Sequence, residues 1–481
     1  MLLKHLIEGL NIKKVKGNIE TDIAGIAYDS RKVKKGFLFV CISGTQQDGH
    51  AYIPMALENG ASALLVEKDI DLESDVPVIM IDNTRYGLAH VADRFFGHPS
   101  GKLDLVGVTG TKGKTTTTYM IKSILDISEK TGIIGTLGTK IGDRVLYSER
   151  TTPESYDLQS ILAQMCEEGV KKAVMEVSSQ GLALHRVAMC EYEIGVFTNL
   201  SKDHISKYEH SSMEEYMEAK LKLFDMSKKA VINLDNPYSK YFAERAKGQK
   251  ITVGIENEAM VMAKDIRYEQ QGVSFKMITP WFEQDMSINI PGKFSVYNAL
   301  CASAVCGLLN IDKHQIYEGL RNVYVPGRVE KVDTGRDFTV LIDYAHTPDS
   351  LENVLNTIKA FAKGRIICLF GCGGDRDRTK RPLMGEISGR LADFTIITSD
   401  NPRTEDPDAI ISEIEKGVRN TSGEYICITD RRQAIKHALM NAKKNDIILL
   451  AGKGHETYQT FKDKTIHFDE REVVAELLKE I

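Results

Sequence analysis

Short apolar runs, each ended by glycine or a polar cluster, alternate along this chain with longer stretches whose apolar positions recur three and four residues apart. Runs of the first kind read as buried strands and stretches of the second as amphipathic helices. An amphipathic helix start occupies 1–10, and strand-like runs follow at 36–42 and 63–66. Further runs lie at 103–108, 172–177, 194–199 and 230–234, and then at 340–344, 366–370, 394–398, 425–429 and 447–450. Strands alternating with helices predict an α/β fold with mostly parallel sheets, in which ligand residues gather at the strand ends. The runs group into units 1–99, 100–326 and 327–481, with Phe96 to Ser100 as a linker.

The break after the 103–108 run carries the clearest chemistry. Gly110, Thr111, Lys112, Gly113, Lys114, Thr115 and Thr116 lead into a helix predicted from Thr115 to about Ile127, with Met120, Ile121, Ile124 and Leu125 on one face. Strand, glycine loop and helix N-terminus together form a phosphate cradle, because loop amides and the helix dipole both favour an anion. Lys114 would reach the outer phosphates and the Thr115 hydroxyl would ligate Mg²⁺. The alternative is a plain glycine turn, which leaves the lysine and the threonines without a role.

Net charge is −5 over 481 residues, which gives no support to nucleic-acid binding. No apolar run is long enough for a transmembrane helix, and 1–10 lacks the apolar core of a signal peptide. The chain is expected to be cytoplasmic and monomeric. Its 8 cysteines are scattered, none in a C-x-x-C pair, and most sit in apolar runs as small core residues. Neither a catalytic cysteine nor structural zinc is expected.

Other candidates lie just past predicted strands. Glu176 ends an otherwise apolar run, where an unpaired buried carboxylate is costly; Mg²⁺ or a structural salt bridge would satisfy it. Asn199, Asp203 and His204 follow the next run. Turns at Asp29, Ser30 and Arg31 and at 44–50 read from composition as plain connections, and Lys220 reads as a surface lysine on a helix over 216–224. Gly371, Gly373 and Gly374 approach a dinucleotide fingerprint, but Arg376 stands where a third glycine belongs, so a Rossmann cofactor is not expected. Asp400 to Arg403 and Gly452 to Glu456 both lie on the predicted ligand-facing edge of the third unit.

Taken in order, Gly110–Thr116, Glu176-Val-Ser-Ser, Thr198-Asn-Leu-x-x-Asp-His204, Tyr297-Asn-Ala, Pro326-Gly-Arg328-x-Glu330 and Asp343-Tyr-Ala-His346 resemble the Mur ligase family, ATP-dependent amide-bond ligases of peptidoglycan synthesis. The resemblance covers nearly the whole chain, from Asp29 to Glu456. It implies three domains: a UDP-substrate domain, a central P-loop ATPase with a mostly parallel sheet, and a C-terminal Rossmann-like domain that brings an amino acid. The pattern is most similar to the members acting on UDP-N-acetylmuramoyl-L-alanyl-D-glutamate, and the Asp400–Arg403 motif matches the form adding meso-2,6-diaminopimelate. L-lysine, lanthionine, a sister ligase such as a folylpolyglutamate synthetase and a regulatory P-loop ATPase are the competing possibilities.

The resemblance also implies residue roles. Gly110 to Thr116 hold ATP, with Asn298, Arg328 and Asp343 flanking it. Thr115 and Glu176 hold one Mg²⁺; His204 helps hold a second, together with Lys220 carbamylated by CO₂. Lys114, Glu176, His204 and Lys220 form the catalytic set. Ser30, Thr45, Gln46 and Gln47 contact the uridine and pyrophosphate end, and Thr151, Thr152, Ser178 and Arg186 the sugar-peptide end. Leu184 stands where some relatives carry glutamine. Arg376 and Arg403 are forks for the two carboxylates of diaminopimelate, and Asp400, Asn401, Pro402, Gly452 and Glu456 line the same site, with its ammonium groups on Asp400, Asn401, Glu456 and the Gly452 carbonyl. Domain closure is expected from the separation of the ATP and amine sites.

Overall fold

A computed structural model describes residues 1–481 except Thr45, Gln46, Glu73, Tyr147 to Glu149, Asp203, His204, Ser206 to Tyr208, Gln270 and Gln271. Two compact units result: Met1–Met262 with Thr279–Trp281 and Asn298–Gly319, and Ala263–Ile278 with Phe282–Tyr297 and Leu320–Ile481.

The first unit holds two sheets. The smaller is five-stranded, ordered Ile12–Lys16, Val78–Ile81, Ala61–Val66, Phe37–Val40, Gly25–Ala27. Its first strand is antiparallel to its neighbour and the others are parallel. Apolar side chains cover both faces: Leu3, Leu6, Leu88 and Val91 on one, Ile53 and Ala56 on the other. Ile12–Lys16 has an exposed or half-exposed pattern throughout, and Gly25–Ala27 is only three residues long, so neither carries an apolar run.

The larger sheet runs through Gln249–Gly254, Ser227–Asn233, Tyr192–Phe197, Asp104–Thr109, Lys172–Glu176, Thr131–Gly135, Gly138–Ile141 and Arg144–Leu146. It is parallel as far as Thr131–Gly135, and the last two strands turn back antiparallel. From Asp104–Thr109 the chain passes out to Thr131–Gly135, returns to Lys172–Glu176 between them, then crosses to Tyr192–Phe197 on the other side. The Asp104–Thr109 strand thus lies where the strand order reverses, which opens a crevice at its C-terminal end. Helix Lys114–Leu125 leaves from that end with Met120, Ile121, Ile124 and Leu125 buried, as the periodicity predicts.

The linker expected at Phe96 to Ser100 is a packed turn. His98 takes a left-handed conformation ahead of a 3-10 turn, Pro99–Lys102. Ser100 is buried and accepts the Glu191 amide, and the Phe96 ring lies 5.5 Å from that of Tyr156.

The second unit is built on a six-stranded sheet ordered Glu330–Val332, Thr339–Asp343, Ile447–Ala451, Ile366–Phe370, Phe394–Ile397, Glu424–Cys427. Only Glu330–Val332 is antiparallel. Helices Pro348–Lys359, Lys380–Leu391 and Pro407–Val418 cover one face, and Arg431–Asn441 and Glu470–Glu480 the other. Burial on both faces explains why these strands read as unbroken apolar runs. Loops at 344–346, 371–376, 398–403 and 452–456 all leave the same edge of the sheet. An antiparallel pair absent from the sequence prediction, Gly272–Ile278 with Glu283–Ile288, also belongs to this unit.

Among the described residues no helix is long and apolar enough to cross a membrane. Six of the cysteines are buried, Cys166 is half-buried and Cys427 is exposed. Burial pushes the Cys301 and Cys368 thiols up to about 12, which leaves them unreactive.

Candidate active site

The phosphate loop is fixed by its own backbone. Gly110 has φ 152° and lies so close to the next strand that a Cβ would sit 2.0 Å from Thr198 Oγ1. Gly113, φ 84°, caps the helix, and a Cβ there would meet Asn298 Oδ1 at 2.5 Å. Asn298 also accepts from Thr117 Oγ1 at 3.3 Å, so this amide sits at the helix start. Asn199 holds the loop from behind. Its Oδ1 accepts the Lys112 amide at 2.9 Å, and its Nδ2 donates to the Lys112 carbonyl at 3.0 Å. Thr111 is tied to the amide of Ser201 at 3.0 Å and to the Tyr216 hydroxyl at 3.2 Å. Thr115 and Thr116 are buried in the first helical turn.

Two lysine ammonium groups converge on this loop. Lys114 Nζ donates to the carbonyls of Gly110 and Thr111 at 2.9 and 3.0 Å. Lys220 Nζ donates to the same Gly110 carbonyl at 2.9 Å. Lys220 is only 1% exposed, which corrects the reading of it as a surface lysine. It shares the buried face of helix Met213–Asp225 with Tyr216, one turn earlier, whose ring centroid lies 4.5 Å from Nζ. Its helix spacing alone does not reveal which face turns inward. His204 lies outside the described residues, as does Asp203.

Glu176 ends its strand opposite Val108, beside the loop. It is 1% exposed, and its oxygens accept from the Thr136 amide at 2.9 Å and the Thr136 hydroxyl at 3.1 Å. No cation pairs with it in a salt bridge among the described residues. Thr136 in turn meets Thr151 at 3.0 Å. Thr152 donates to the Glu176 carbonyl and accepts the Ser178 amide, both at 3.0 Å, and its carbonyl accepts from Arg186 at 3.3 Å. The structure thus brings together Thr151, Thr152, Ser178 and Arg186, the predicted sugar-peptide residues, and joins them to Glu176 through Thr136. Ser178 itself caps the short helix Ser179–Ala183, which Leu184 terminates. Glu154 was not foreseen: it is buried and lies 3.2, 3.4 and 3.5 Å from Arg85, Arg150 and Arg186. Three guanidinium groups around one carboxylate leave a local excess of positive charge.

Ser30 and Gln47 follow parallel strands of the five-stranded sheet at the same edge. Ser30 is buried, with its hydroxyl 3.3 Å from Met55 Sδ; the Gln47 carbonyl closes a turn by accepting the Gly44 amide at 2.9 Å. Thr45 and Gln46 lie outside the described residues. Tyr28, just before this edge, donates to Asp157 at 2.5 Å on the helix that follows Thr151 and Thr152.

In the second unit Asp343 accepts amides of Val329 and Ala345 at 2.8 Å each. Burial pushes its carboxyl up, against the pull of Arg328. The Arg328 guanidinium lies 4.9 Å from the Tyr344 ring, which packs against His346 and His455 at 4.5 and 4.9 Å. Burial holds His455 down to about 4, so it is neutral near pH 7.

The predicted amino-acid residues gather at the same sheet edge. Asp400 is 8% exposed, and its Oδ2 has no hydrogen-bond partner. A Cβ on Gly452, φ 110°, would meet that oxygen at 2.8 Å. Asn401, a predicted ammonium ligand, is engaged within the fold. Its Nδ2 donates to Glu456 at 2.8 Å, and its Oδ1 takes the Thr460 amide at 3.0 Å and Lys453 at 3.3 Å, so its amide is spent on the fold. Lys453 is fully buried between Asn401 and Glu456 and was missed, because one lysine in a glycine turn gives no periodic signal. Burial raises the Glu456 carboxyl, against Lys453. Pro402 is buried and contributes backbone. Arg403 is half-buried, φ 51°, with a guanidinium nitrogen on the Gly374 carbonyl at 2.6 Å; Arg376 is exposed on the facing loop.

The geometry resolves into a phosphate loop flanked by a buried carboxylate and hydroxyls, and a separate edge with a buried acceptor and an arginine. Family models described as Mur ligase family, catalytic domain, as Mur ligase middle domain, and as Mur ligase, glutamate ligase domain match residues 22–96, 108–306 and 327–454. A relative from Caldanaerobacter subterraneus subsp. tengcongensis, a UDP-N-acetylmuramoyl-L-alanyl-D-glutamate--2,6-diaminopimelate ligase, is 51% identical over 100% of this chain and 99% of its own. One of the same name from Alkaliphilus metalliredigens is 47% identical, over 100% and 98%. A solved structure of that name, 30% identical, superposes with a TM-score of 0.74 over 100% of this chain and 99% of its own. A MurF ligase from Thermotoga maritima in complex with ADP has the same fold, at 19% identity, TM-score 0.64 and coverage of 96% and 97%. With three domain models in sequence and full-length relatives near half identity, the chain belongs to the Mur ligase family.

Proposed function

We propose that this chain is the ATP-dependent ligase that joins meso-2,6-diaminopimelate to UDP-N-acetylmuramoyl-L-alanyl-D-glutamate in cytoplasmic peptidoglycan precursor synthesis. Full-length relatives of that activity support the reaction. The buried, unpartnered Asp400 Oδ2, on the same loop as Arg403, is the observation that carries the choice of amino acid. An ammonium group satisfies the first and a carboxylate the second, and a diamino dicarboxylic acid supplies both.

The chemistry follows from the groups present. A substrate carboxylate oxygen attacks the γ-phosphorus of ATP, and the bond to ADP breaks. Loop amides, Lys114 and the helix N-terminus stabilise the charge that spreads over the phosphoryl oxygens. The amine then attacks the acyl phosphate, and the tetrahedral intermediate expels phosphate as the amide forms and a proton leaves. Arg328 and Asp343, with the Tyr344 ring, suit the nucleoside, and Asn298 suits its phosphates. Thr151, Thr152, Ser178 and Arg186 orient the sugar-peptide, while Ser30, Gln47 and the undescribed Thr45 and Gln46 take its uridine end.

Buried oxygens of Thr115 and Glu176 are hard donors and fit Mg²⁺. Carbamylated Lys220 and His204 would complete a second site. When bound, Mg²⁺ neutralises phosphate charge and orients the transferred group. The close approach of Lys220 to the loop supports this role, since carbamylation turns its Nζ into an anionic oxygen ligand at that place. Three domains are proposed, bounded at 99 and 326.

Mass analysis of the product tests the function. With ATP, Mg²⁺, the UDP-dipeptide and meso-diaminopimelate, a product heavier by one diaminopimelate less one water is expected. Recovery of unchanged UDP-dipeptide would overturn the proposal.

A further inference from the structure

Arg376 and Arg403 sit on two loops, 371–376 and 400–405, that face each other, and both loops hold backbone that L-residues avoid. Asp375 has φ 55° and Arg403 has φ 51°. Each such residue is strained and persists where its surroundings over-determine it. Arg381 is the group beneath them. It opens helix Lys380–Leu391 and is 0% exposed. Its guanidinium donates to both oxygens of Glu405 at 2.8 and 2.9 Å, to Glu413 at 2.8 Å and to the Gly373 carbonyl at 3.4 Å. Glu405 in turn accepts the Asp375 amide at 2.6 Å. Asp375 completes the circuit by accepting from the Thr404 hydroxyl at 2.6 Å. The loops touch backbone to backbone: the Gly374 amide donates to the Asn401 carbonyl at 2.9 Å, and a Cβ on Gly374 would meet the Pro402 oxygen at 1.9 Å.

We propose that Arg381 and Glu405 are positioning residues for amino-acid selection, holding the Arg376 and Arg403 loops at the spacing that two substrate carboxylates require. The inference rests on the functional reading above. Arg381 reaches no solvent, so it acts only through the groups it holds: Glu405, Glu413 and the loops. A bidentate arginine–carboxylate pair fixes direction as well as distance, which a lysine in its place does not. Loss of the pair lets the loops spread and the Arg403 fork misalign. A diamino acid with one carboxylate depends less on that fork, so selectivity falls together with affinity.

The test uses the full chain with Arg381→Lys and Glu405→Gln, and with Thr404→Ala as a milder variant that leaves the buried pair intact. Misplacement by about 1 Å can cost roughly 10²-fold, so KM for diaminopimelate is expected to rise about 10-fold or more in the first two. Values of kcat and the KM for ATP and UDP-dipeptide should stay near wild type, and the preference for diaminopimelate over lysine should fall by a similar factor. Thr404→Ala should move the same quantities in the same direction by less. Folded variants with unchanged KM and unchanged preference would overturn the inference. If the first two fail to fold, an unchanged Thr404→Ala overturns it. A wild type that uses lysine and not diaminopimelate would overturn the functional reading alone, and the KM for lysine in these variants would then decide the positioning role.

Discussion

Gly113→Ala is the sharpest probe of the phosphate loop. At φ 84° the new side chain forces a left-handed conformation, and its Cβ meets Asn298 Oδ1 at 2.5 Å. The conformation alone costs roughly 1–2 kcal/mol. The contact is shorter than carbon and oxygen tolerate, so either the loop or the Asn298 amide must move by several tenths of an ångström. Gly169→Ala separates the two effects. Gly169 has φ 77° with nothing within 4 Å of its Cβ position, so it carries the strain without the clash. Gly169→Ala should lose about 1–2 kcal/mol in denaturant unfolding, and Gly113→Ala at least as much. Only Gly113→Ala should lose activity, by roughly 10- to 100-fold in kcat/KM for ATP, because loop amides that miss the phosphates by a fraction of an ångström stabilise the transition state poorly. Steady-state phosphate release at varied ATP measures this. Wild-type ATP kinetics in a folded Gly113→Ala would refute the assignment of this loop to the phosphates.

Two further outcomes follow from the same geometry. Lys220→Ala should abolish most activity, and short-chain carboxylates added to the assay should restore part of it by supplying the missing anionic oxygen; full activity without them would rule out the carbamate. The Glu405 carboxyl is held down to about 2, mainly by Arg381, below its ordinary 4.5. A depressed carboxyl stabilises the fold above its unfolded value and loses that contribution as pH falls. Thermal stability should therefore decline between pH about 4.5 and about 2, and Glu405→Gln should flatten that part of the curve; an unchanged slope would mean that the pair contributes nothing there.

The α/β alternation and the phosphate loop were legible because buried parallel strands are unbroken apolar runs and the loop lies between one of them and a periodic helix. Strands Gly25–Ala27 and Ile12–Lys16 were not, one being too short and the other too exposed to carry a run. Phe96 to Ser100 reads as a linker because glycine, proline and serine punctuate chains, yet its side chains pack. Residue chemistry marked Glu176, since a carboxylate on an apolar strand demands a partner. It could not mark Lys220, Lys453 or Arg381, whose burial depends on partners distant in sequence: Gly110, Asn401 and Glu405. Of these, only Lys220 has a role implied by the family resemblance.

The most direct measurement is phosphate release by the purified protein with ATP, Mg²⁺ and UDP-N-acetylmuramoyl-L-alanyl-D-glutamate, run with meso-diaminopimelate, with lysine and with no amino acid. A site built around a carboxylate fork can reject a substrate lacking that group by roughly 10⁴-fold. Release that requires diaminopimelate, with little from lysine, is the predicted result. Release with lysine would discard the arginine fork, and equal release in all three would contradict ligation itself.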